Sequence, residues 1–228
     1  KVVIYANYHL NRDTVLKKHD EKLQINGYTF IGNPHLLRPN VVLRCIFLKP
    51  DETYQVTAYR LTQNRLMNLG VYKFVNIRFQ ESDSTGKQGT QDAYIYLTLM
   101  QRKMLRAEIR AVTESNNYTG PQLNLSFRNR NFLHGAELFT ANAHGSFETL
   151  LGNGYSGLST YEIGGDVSLE VPRFMVPFQL TNISSLYTPK TKISLGYDLT
   201  NRLDYFLIND FHAKFGYDWQ EDIKRRHE

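Results

Sequence analysis

From residue 103 onward, apolar and polar residues alternate along the chain with a period of two. Successive side chains of a β-strand point to opposite faces, so this alternation predicts strands with one apolar and one polar face. Turns separate six such segments, which are residues 104–114, 122–130, 137–148, 159–171, 190–200 and 204–219. The second part of the chain is therefore predicted to be an antiparallel sheet of six strands.

Residues 1–102 have a different pattern, which predicts a small α+β unit. Strand patterns lie at residues 2–10, 71–80 and 92–101, and two helical patterns lie between the first and the second of these. The order strand, helix, helix, strand, strand predicts a three-stranded sheet with two helices on one face. The chain is thus predicted to divide into residues 1–102 and 103–228.

The two predicted helices are recognised by their boundary residues. In "LRPNVVLRCIFLKP", Pro39 suits the first turn of a helix and Pro50 closes the segment beyond its end. Thr57 can cap the start of the second helix, and Gly70 fits the left-handed position after its end. The polar segment 11–34 has little periodicity, which predicts a long loop with at most a short hairpin at "INGYTF".

Two environments explain strands with one apolar and one polar face. In a soluble sandwich the apolar face points into the core, whereas in a transmembrane barrel it meets lipid and the polar face lines a wet lumen. The strands reach about 10 residues or more, their apolar face contains many Ala and Gly, and aromatic residues cluster near strand ends, all of which favours the barrel. The aromatic residues are Phe132, Tyr155, Tyr187, Tyr205, Tyr217 and Trp219.

Composition excludes several functional classes. The 228 residues are 41% hydrophobic. A transmembrane helix needs about 20 consecutive apolar residues, and no apolar stretch of the sequence approaches that length. The net charge is +5, but 27 basic residues are interleaved with 22 acidic ones, so we expect no nucleic-acid binding. Cys45 is the single cysteine and lies among apolar neighbours, which predicts a small core residue. The opening stretch "KVVIYANYHL" lacks the pattern of a signal peptide, so we expect either a cytosolic protein or an internal piece of a longer one.

Catalytic and metal-binding patterns are weak in this sequence. His144 with Ser146, and Asp210 with His212, are pairs two residues apart on predicted strands. Such pairs share a face but are too generic to indicate a hydrolytic triad, so we expect no enzyme activity. The seven His residues are scattered without the spacing of metal ligands, so neither a metal nor another cofactor is expected.

Several stretches resemble the BamA/TamA superfamily of outer-membrane assembly proteins. "YRLTQNRLMNLGVYKFVNIRFQ" with "YIYLTL" resembles the last POTRA domain of that superfamily, and "TGPQLNLSFRNRNFLHGAELF" is similar to its first barrel strands. In the first barrel strands of that superfamily, a Gly-Pro entry recurs together with a turn that begins with Asn-Arg-Asn and ends with Gly-Ala-Glu. "PRFMVPF", "PKTKISLGYDLTNRLDYF" and "FGYDW" look like the TamA-like branch. The resemblance spans nearly the whole chain and departs from the family in a longer polar insertion, residues 11–36.

The resemblance implies an α+β POTRA domain, residues 1–102, followed by antiparallel transmembrane β-barrel strands, residues 103–228. The barrel of this superfamily has about 16 strands, so the six counted here amount to a partial barrel. We therefore expect the chain to be an N-terminal half or an internal fragment of a longer protein. The implied location is the outer membrane of a Gram-negative bacterium, with the N-terminal domain in the periplasm.

The implied function is the insertion of β-barrel proteins into the outer membrane, or the export of envelope components, without ATP or covalent chemistry. The expected partners are unfolded outer-membrane proteins or other envelope clients, a periplasm-spanning partner protein and outer-membrane lipid. No cofactor is implied. A soluble β-rich binding or adhesin module attached to a small α/β domain is the alternative, and an ungated passive pore is a nearer competitor.

Two edge strands are the implied sites, because backbone pairing at a free edge accepts many client sequences. The barrel seam strand consists of Met104, Leu105, Arg106, Ala107, Glu108, Ile109, Arg110 and Ala111. The POTRA edge strand consists of Tyr72, Lys73, Phe74, Val75, Asn76, Ile77, Arg78 and Phe79. Each has a structural alternative: the seam strand as a staple of the barrel, and the POTRA edge as one that Lys73 and Arg78 protect from pairing.

Overall fold

The computed structural model describes residues 1–8, 20–82, 89–113, 118–150, 159–175, 188–203, 205–222 and 225–227. Two of the predicted strand-end aromatics, Tyr155 and Tyr187, and residues 11–19 of the predicted long loop lie outside the described residues. Among the described residues, the helices lack the length and apolar content needed to cross a membrane.

Two groups of secondary-structure elements follow one another along the chain. The first group is β1 (Val2–Tyr5), β2 (Glu21–Ile25), β3 (Tyr28–Gly32), α1 (Pro39–Leu43), α2 (Val56–Asn68), β4 (Tyr72–Glu81) and β5 (Gln91–Leu99). The second group is β6 (Lys103–Thr113), β7 (Tyr118–Asn129), β8 (Leu138–Leu150), β9 (Ser159–Val171), β10 (Lys190–Arg202), β11 (Phe206–Asp222) and β12 (Arg225–His227). Each group forms one sheet in the described part of the chain.

The first sheet has five strands in the order β2-β3-β1-β5-β4, so the predicted three-stranded sheet was wrong. The two additional strands, β2 and β3, come from the segment that was predicted to be a long loop with at most a short hairpin at "INGYTF", and they form that hairpin. Asn26 and Gly27 both have left-handed φ values, 51° and 82°, as a tight two-residue hairpin turn requires, and they join β2 to β3. β3 then pairs in parallel with β1 and brings Phe30 fully into the core.

The helices differ from their predictions at the boundaries. The first covers only Pro39–Leu43, because the following segment is pulled into the core at Cys45 and is held to α2 by a 2.9 Å hydrogen bond from the Phe47 amide to Thr62 Oγ1. The second helix begins at Val56 with no side-chain cap, so the predicted cap at Thr57 was wrong. Gly70 has φ +69°, and its predicted left-handed conformation is confirmed.

One hydrophobic core fills the space between the first sheet and its helices. Its fully buried members include Ile4, Phe30, Leu66 and Ile95. Cys45 is buried in the same core, which confirms its prediction as a small core residue. Burial raises the pKa of its thiol to about 11, against the lesser opposing effects of Arg65 and Arg44.

The second sheet has seven strands in the order β12-β11-β10-β9-β8-β7-β6, and the described pairs within it are antiparallel. Its six long strands lie at the six predicted segments. The three-residue strand β12 is additional, because Arg225–His227 carries too short a pattern to be recognised without its partner β11. The sheet is open in the described residues, since β6 and β12 are its edges and do not pair with each other.

The apolar face of this second sheet is bare in the described structure. Leu105, Ile109 and Phe211 expose 75%, 82% and 79% of their surface, and exposed apolar residues occur on the central strands as well, such as Ile163 and Leu195. A soluble sandwich requires a second sheet over this face, and the described residues supply none.

Candidate functional site: two free strand edges

The predicted seam strand, residues 104–111, lies within β6 at one edge of the second sheet. β6 pairs with β7 in continuous register, from Lys103 opposite Asn129 to Thr113 opposite Thr119. On its other side, β6 has no strand partner among the described residues. A long edge without an irregularity is therefore available for pairing with another strand.

The two faces of β6 differ in chemistry. Leu105 and Ile109 stand on the exposed apolar face. On the polar face, the Glu108 carboxylate accepts a hydrogen bond from Arg110 Nη2 at 2.7 Å and forms a second ion pair with Arg106. A shallow cavity of about 190 Å³ on this face is lined by Met104, Arg106, Glu108, Asn124, Ser126 and Arg128. An added strand would therefore meet charged groups on one side of the sheet and bare apolar groups on the other.

The predicted POTRA edge strand, residues 72–79, lies within β4 at an edge of the first sheet. The register with β5 shifts between Tyr72 and Phe74, which marks a bulge near the start of the strand. Phe74 is 50% exposed, whereas Tyr72 is fully buried. Lys73 Nζ lies 5.2 Å from the centre of the Phe74 ring, in a cation–π contact at the same place.

Tyr72, at the start of β4, lies in the core of the first unit. Its ring is fully buried, and burial raises the pKa of its phenol strongly. The hydroxyl group has no hydrogen-bond partner among the described residues. This edge is thus anchored by a side chain that carries an uncompensated polar group.

The two edges differ in how open they are. A bulge and exposed basic side chains, here Lys73 and Arg78, are features that natural edges use against unwanted pairing. β6 has basic side chains too, but Glu108 neutralises one of the two charges of Arg106 and Arg110. Of the two predicted edges, β6 therefore has the geometry better suited to adding a strand.

The turn between β7 and β8 connects the second sheet to the first unit. The amide of Arg38 donates a 3.0 Å hydrogen bond to the His134 carbonyl, and the Asn131 side-chain amide donates to the Leu36 carbonyl. Ala136 of this turn is buried in the core of the first unit. Sequence reasoning noticed this turn for its family-like pattern but did not predict that it docks onto the segment before α1.

Glu137 holds this turn in shape. Its buried carboxylate accepts hydrogen bonds from the amides of Leu133, at 3.1 Å, and Gly135, at 2.9 Å. A Cβ atom at position 135 would collide with the Glu137 carboxylate, so another residue there would displace the side chain that holds the turn. His134 and Ala136 on either side have left-handed φ values of 66° and 64°. The turn that docks onto the first unit is thus held by Glu137, and β7, which leads into it, pairs with β6.

A cluster of His and acidic residues lies on the polar face of the second sheet. Asp198 Oδ1 is 3.3 Å from His144 Nε2, and Asp198 Oδ2 is 3.7 Å from His212 Nδ1. His144 Nε2 also lies 3.5 Å from Glu162 Oε1. Asp210 pairs directly opposite Asp198. Sequence reasoning noticed His144 and the pair Asp210 and His212 but missed the cluster, because its members come from four strands that lie far apart along the chain.

The candidate catalytic pairs now have defined positions. Ser146 pairs opposite Glu162, whereas the neighbouring His144 directs its Nε2 to Asp198 and Glu162. His212 lies beside the same Asp198. These contacts join acidic groups to imidazoles, and the expectation of no enzyme activity stays a prediction.

Comparison with known proteins finds similarity only among solved structures. No protein-family model matches the chain, and no curated protein matches it. A BamA structure from Haemophilus ducreyi that lacks POTRA domains 1–3 is similar at 12% identity and a TM-score of 0.38, over 90% of this chain and 49% of that one. CdiB from Acinetobacter baumannii is similar at 10% identity and a TM-score of 0.40, over 84% of this chain and 43% of that one.

The chain spans about half the length of the BamA structure and somewhat less than half the length of the CdiB structure. Because both TM-scores lie below 0.5, the two similar structures carry no argument about function. The function proposed below rests on the residues and contacts of this chain.

Proposed function

We propose that the chain forms a POTRA-like periplasmic domain, residues 1–102, and the first strands of an outer-membrane β-barrel, residues 103–228. Its function is to insert outer-membrane proteins or to export envelope components. The observation that carries this proposal is the second sheet, which has a bare apolar face, a charged polar face and the free edge strand β6.

The bare apolar face supports a lipid environment. Side chains such as Ile109, Ile163 and Leu195 would meet water in a soluble protein, but they meet hydrocarbon if the sheet lies in a bilayer. The six long strands have 11 to 17 residues, enough for a tilted crossing of about 9–11 residues. The charged opposite face then lines an aqueous lumen.

The free edge β6 supports the recognition of clients. An incoming strand pairs with the backbone of β6, so affinity comes from main-chain hydrogen bonds and tolerates many sequences. The matching side-chain pattern is an alternating one, with apolar residues beside Leu105 and Ile109 and polar residues beside Glu108. Unfolded outer-membrane proteins carry this pattern in each of their strands.

The edge β4 is proposed as a second, weaker contact for clients or for a periplasm-spanning partner protein. The register shift and the basic side chains Lys73 and Arg78 restrict which strands can be added there. The turn that Glu137 holds would keep this unit beside the start of the barrel. No covalent step is part of the proposal.

The location is tested by fractionating cells that produce the full-length native protein. We expect it in the outer-membrane fraction, resistant to extraction, with a gel mobility that changes on boiling, as closed barrels show. Recovery in the soluble fraction would favour the alternative of a β-rich binding module and would end the proposal.

The role of β6 is tested by disulfide crosslinking in a Cys45→Ala background. Ala107→Cys places a thiol on the free edge, and Ala141→Cys places one on β8, which is paired on both sides. During assembly of a cysteine-bearing barrel client, we expect crosslinks at position 107 and not at 141. Equal crosslinking, or none at 107 in a correctly inserted protein, would favour a passive pore.

A further inference from the structure

We propose that Asp198, Asp210 and His212 bind a divalent transition-metal ion of the zinc class on the polar face of the second sheet. One ligand atom from each of these residues lies within 4.8 Å of the other two. Tetrahedral zinc, with bonds of about 2.0–2.1 Å, separates neighbouring ligand atoms by about 3.3 Å. The 3.7 Å between Asp198 Oδ2 and His212 Nδ1 is already close to that spacing.

The charges of this cluster call for a cation. Asp198 and Asp210 stand directly opposite each other on β10 and β11, and like charges in that position destabilise a strand pair. Among the described residues, no Lys or Arg nitrogen lies within 4.0 Å of either carboxylate. A bound metal ion supplies the missing positive charge.

Two glycines make room for the proposed ligands. Gly164 lies between His144 and Asp198, and a Cβ atom there would collide with the Asp198 carboxylate and lie 2.6 Å from His144 Cε1. A Cβ atom at Gly196 would collide with the imidazole of His212. The cross-strand neighbours of the imidazoles are thus the residues that leave space for them.

His144 is a positioning residue for this site. Its Nε2 lies 3.3 Å from Asp198 Oδ1, whereas the other oxygen of Asp198 is the one nearest to His212. A partner on the non-ligating oxygen orients a metal-binding carboxylate and tunes its basicity. Glu162, at 3.5 Å, lies on the far side of the same imidazole.

The ligand set selects the class of metal. Imidazole together with carboxylates suits Zn²⁺ and its neighbours in the transition series, whereas Mg²⁺ and Ca²⁺ prefer oxygen ligands throughout. The ligands come from β10 and β11, so the bound ion also clamps these two strands together. This site is independent of strand addition at β6, and it holds whether or not the proposed assembly function does.

The test is calorimetric titration of the purified full chain with Zn²⁺, repeated with Co²⁺ to read the coordination geometry from its visible spectrum. We expect one site that binds Zn²⁺ and Co²⁺ but not Mg²⁺. Asp210→Asn and His212→Gln should each abolish it, and His35→Gln, an exposed His in the first unit, should not. Binding that survives Asp210→Asn, or is lost equally in His35→Gln, would overturn the proposal.

Two further measurements separate binding from misfolding. His144→Gln should keep the stoichiometry and lower the Zn²⁺ affinity about 10–100-fold, as loss of a supporting partner does. Without metal, Asp210→Asn should melt at the wild-type temperature or above it, because it removes a like-charge pair. With Zn²⁺, only the wild-type melting temperature should rise, and a rise in both proteins would contradict the assignment.

Discussion

Ile95 and Ile109 both lie in the middle of β-strands, yet Ile95 is fully buried and Ile109 is 82% exposed. The strand of Ile95 belongs to a sheet whose inner face packs against helices and the segment around Cys45. The strand of Ile109 belongs to a sheet whose apolar face has no cover among the described residues. The first unit therefore carries its own core, whereas the apolar face of the second sheet has no cover in the part of the chain that the structure describes.

The largest expected effect is a loss of stability when a core side chain of the first unit is truncated, compared with the same truncation on the second sheet. Leu66→Ala removes a fully buried side chain of α2 and should lower the free energy of unfolding by about 2–5 kcal/mol. Ile109→Ala should change it by less than about 0.5 kcal/mol, because its side chain is exposed. Urea denaturation followed by the helical circular dichroism signal measures both, and equal losses would mean that Ile109 is packed against something.

The second prediction asks what covers the apolar face. Val167→Arg places a charge on that face near the middle of β9, which in a bilayer should cost about 2–4 kcal/mol and reduce the membrane-inserted fraction. Ser168→Arg, at the neighbouring position on the opposite, polar face of the sheet, is the control and should insert normally. The measurement is the amount of heat-modifiable protein in the outer membrane, and equal insertion of the two variants would contradict a lipid-facing role for Val167.

The third prediction concerns pH and the core of the first unit. The pKa of Cys45 is raised from 9.0 to about 11 in the folded protein, so its stability contribution is complete below pH 9 and is lost as pH rises through 11. At pH 10, midway between the two pKa values, this linkage should lower the free energy of unfolding by roughly 1 kcal/mol. Urea titrations at pH 7 and pH 10 should show this loss in the wild type. Cys45→Ala is the control, and the same loss in both proteins would assign the effect to other groups.

The smallest expected effect is a gain. Tyr72→Phe removes a buried hydroxyl that has no partner among the described residues and should raise the stability of the first unit by up to about 1 kcal/mol. Tyr54→Phe, at a 51% exposed ring, should leave it unchanged. Denaturation midpoints measure the difference, and a loss of stability in Tyr72→Phe would reveal a hydrogen bond at this hydroxyl.

Local patterns were sufficient where one rule governs the backbone. The alternation in residues 103–219 located the six long strands, since a period of two has no other regular interpretation. Gly70 marked the end of α2 because a left-handed position favours glycine. The first helix was predicted too long, because the apolar run from Cys45 to Leu48 is compatible with a buried loop as well as with a helix.

The sequence by itself determined the two helices, the six long strands and two faces of the second sheet, and the strands β4 and β6 as candidates for edges. It did not determine the five-stranded order of the first sheet or the short strand β12. Only the tertiary structure decided that β3 pairs in parallel with β1, that Ala136 docks into the first core and that His144 and His212 meet at Asp198. The physical reason is the separation along the chain of the residues that interact. Periodicity and turn chemistry act over a few neighbouring residues, whereas these contacts join residues far apart along the chain, which meet only when the strands take their register.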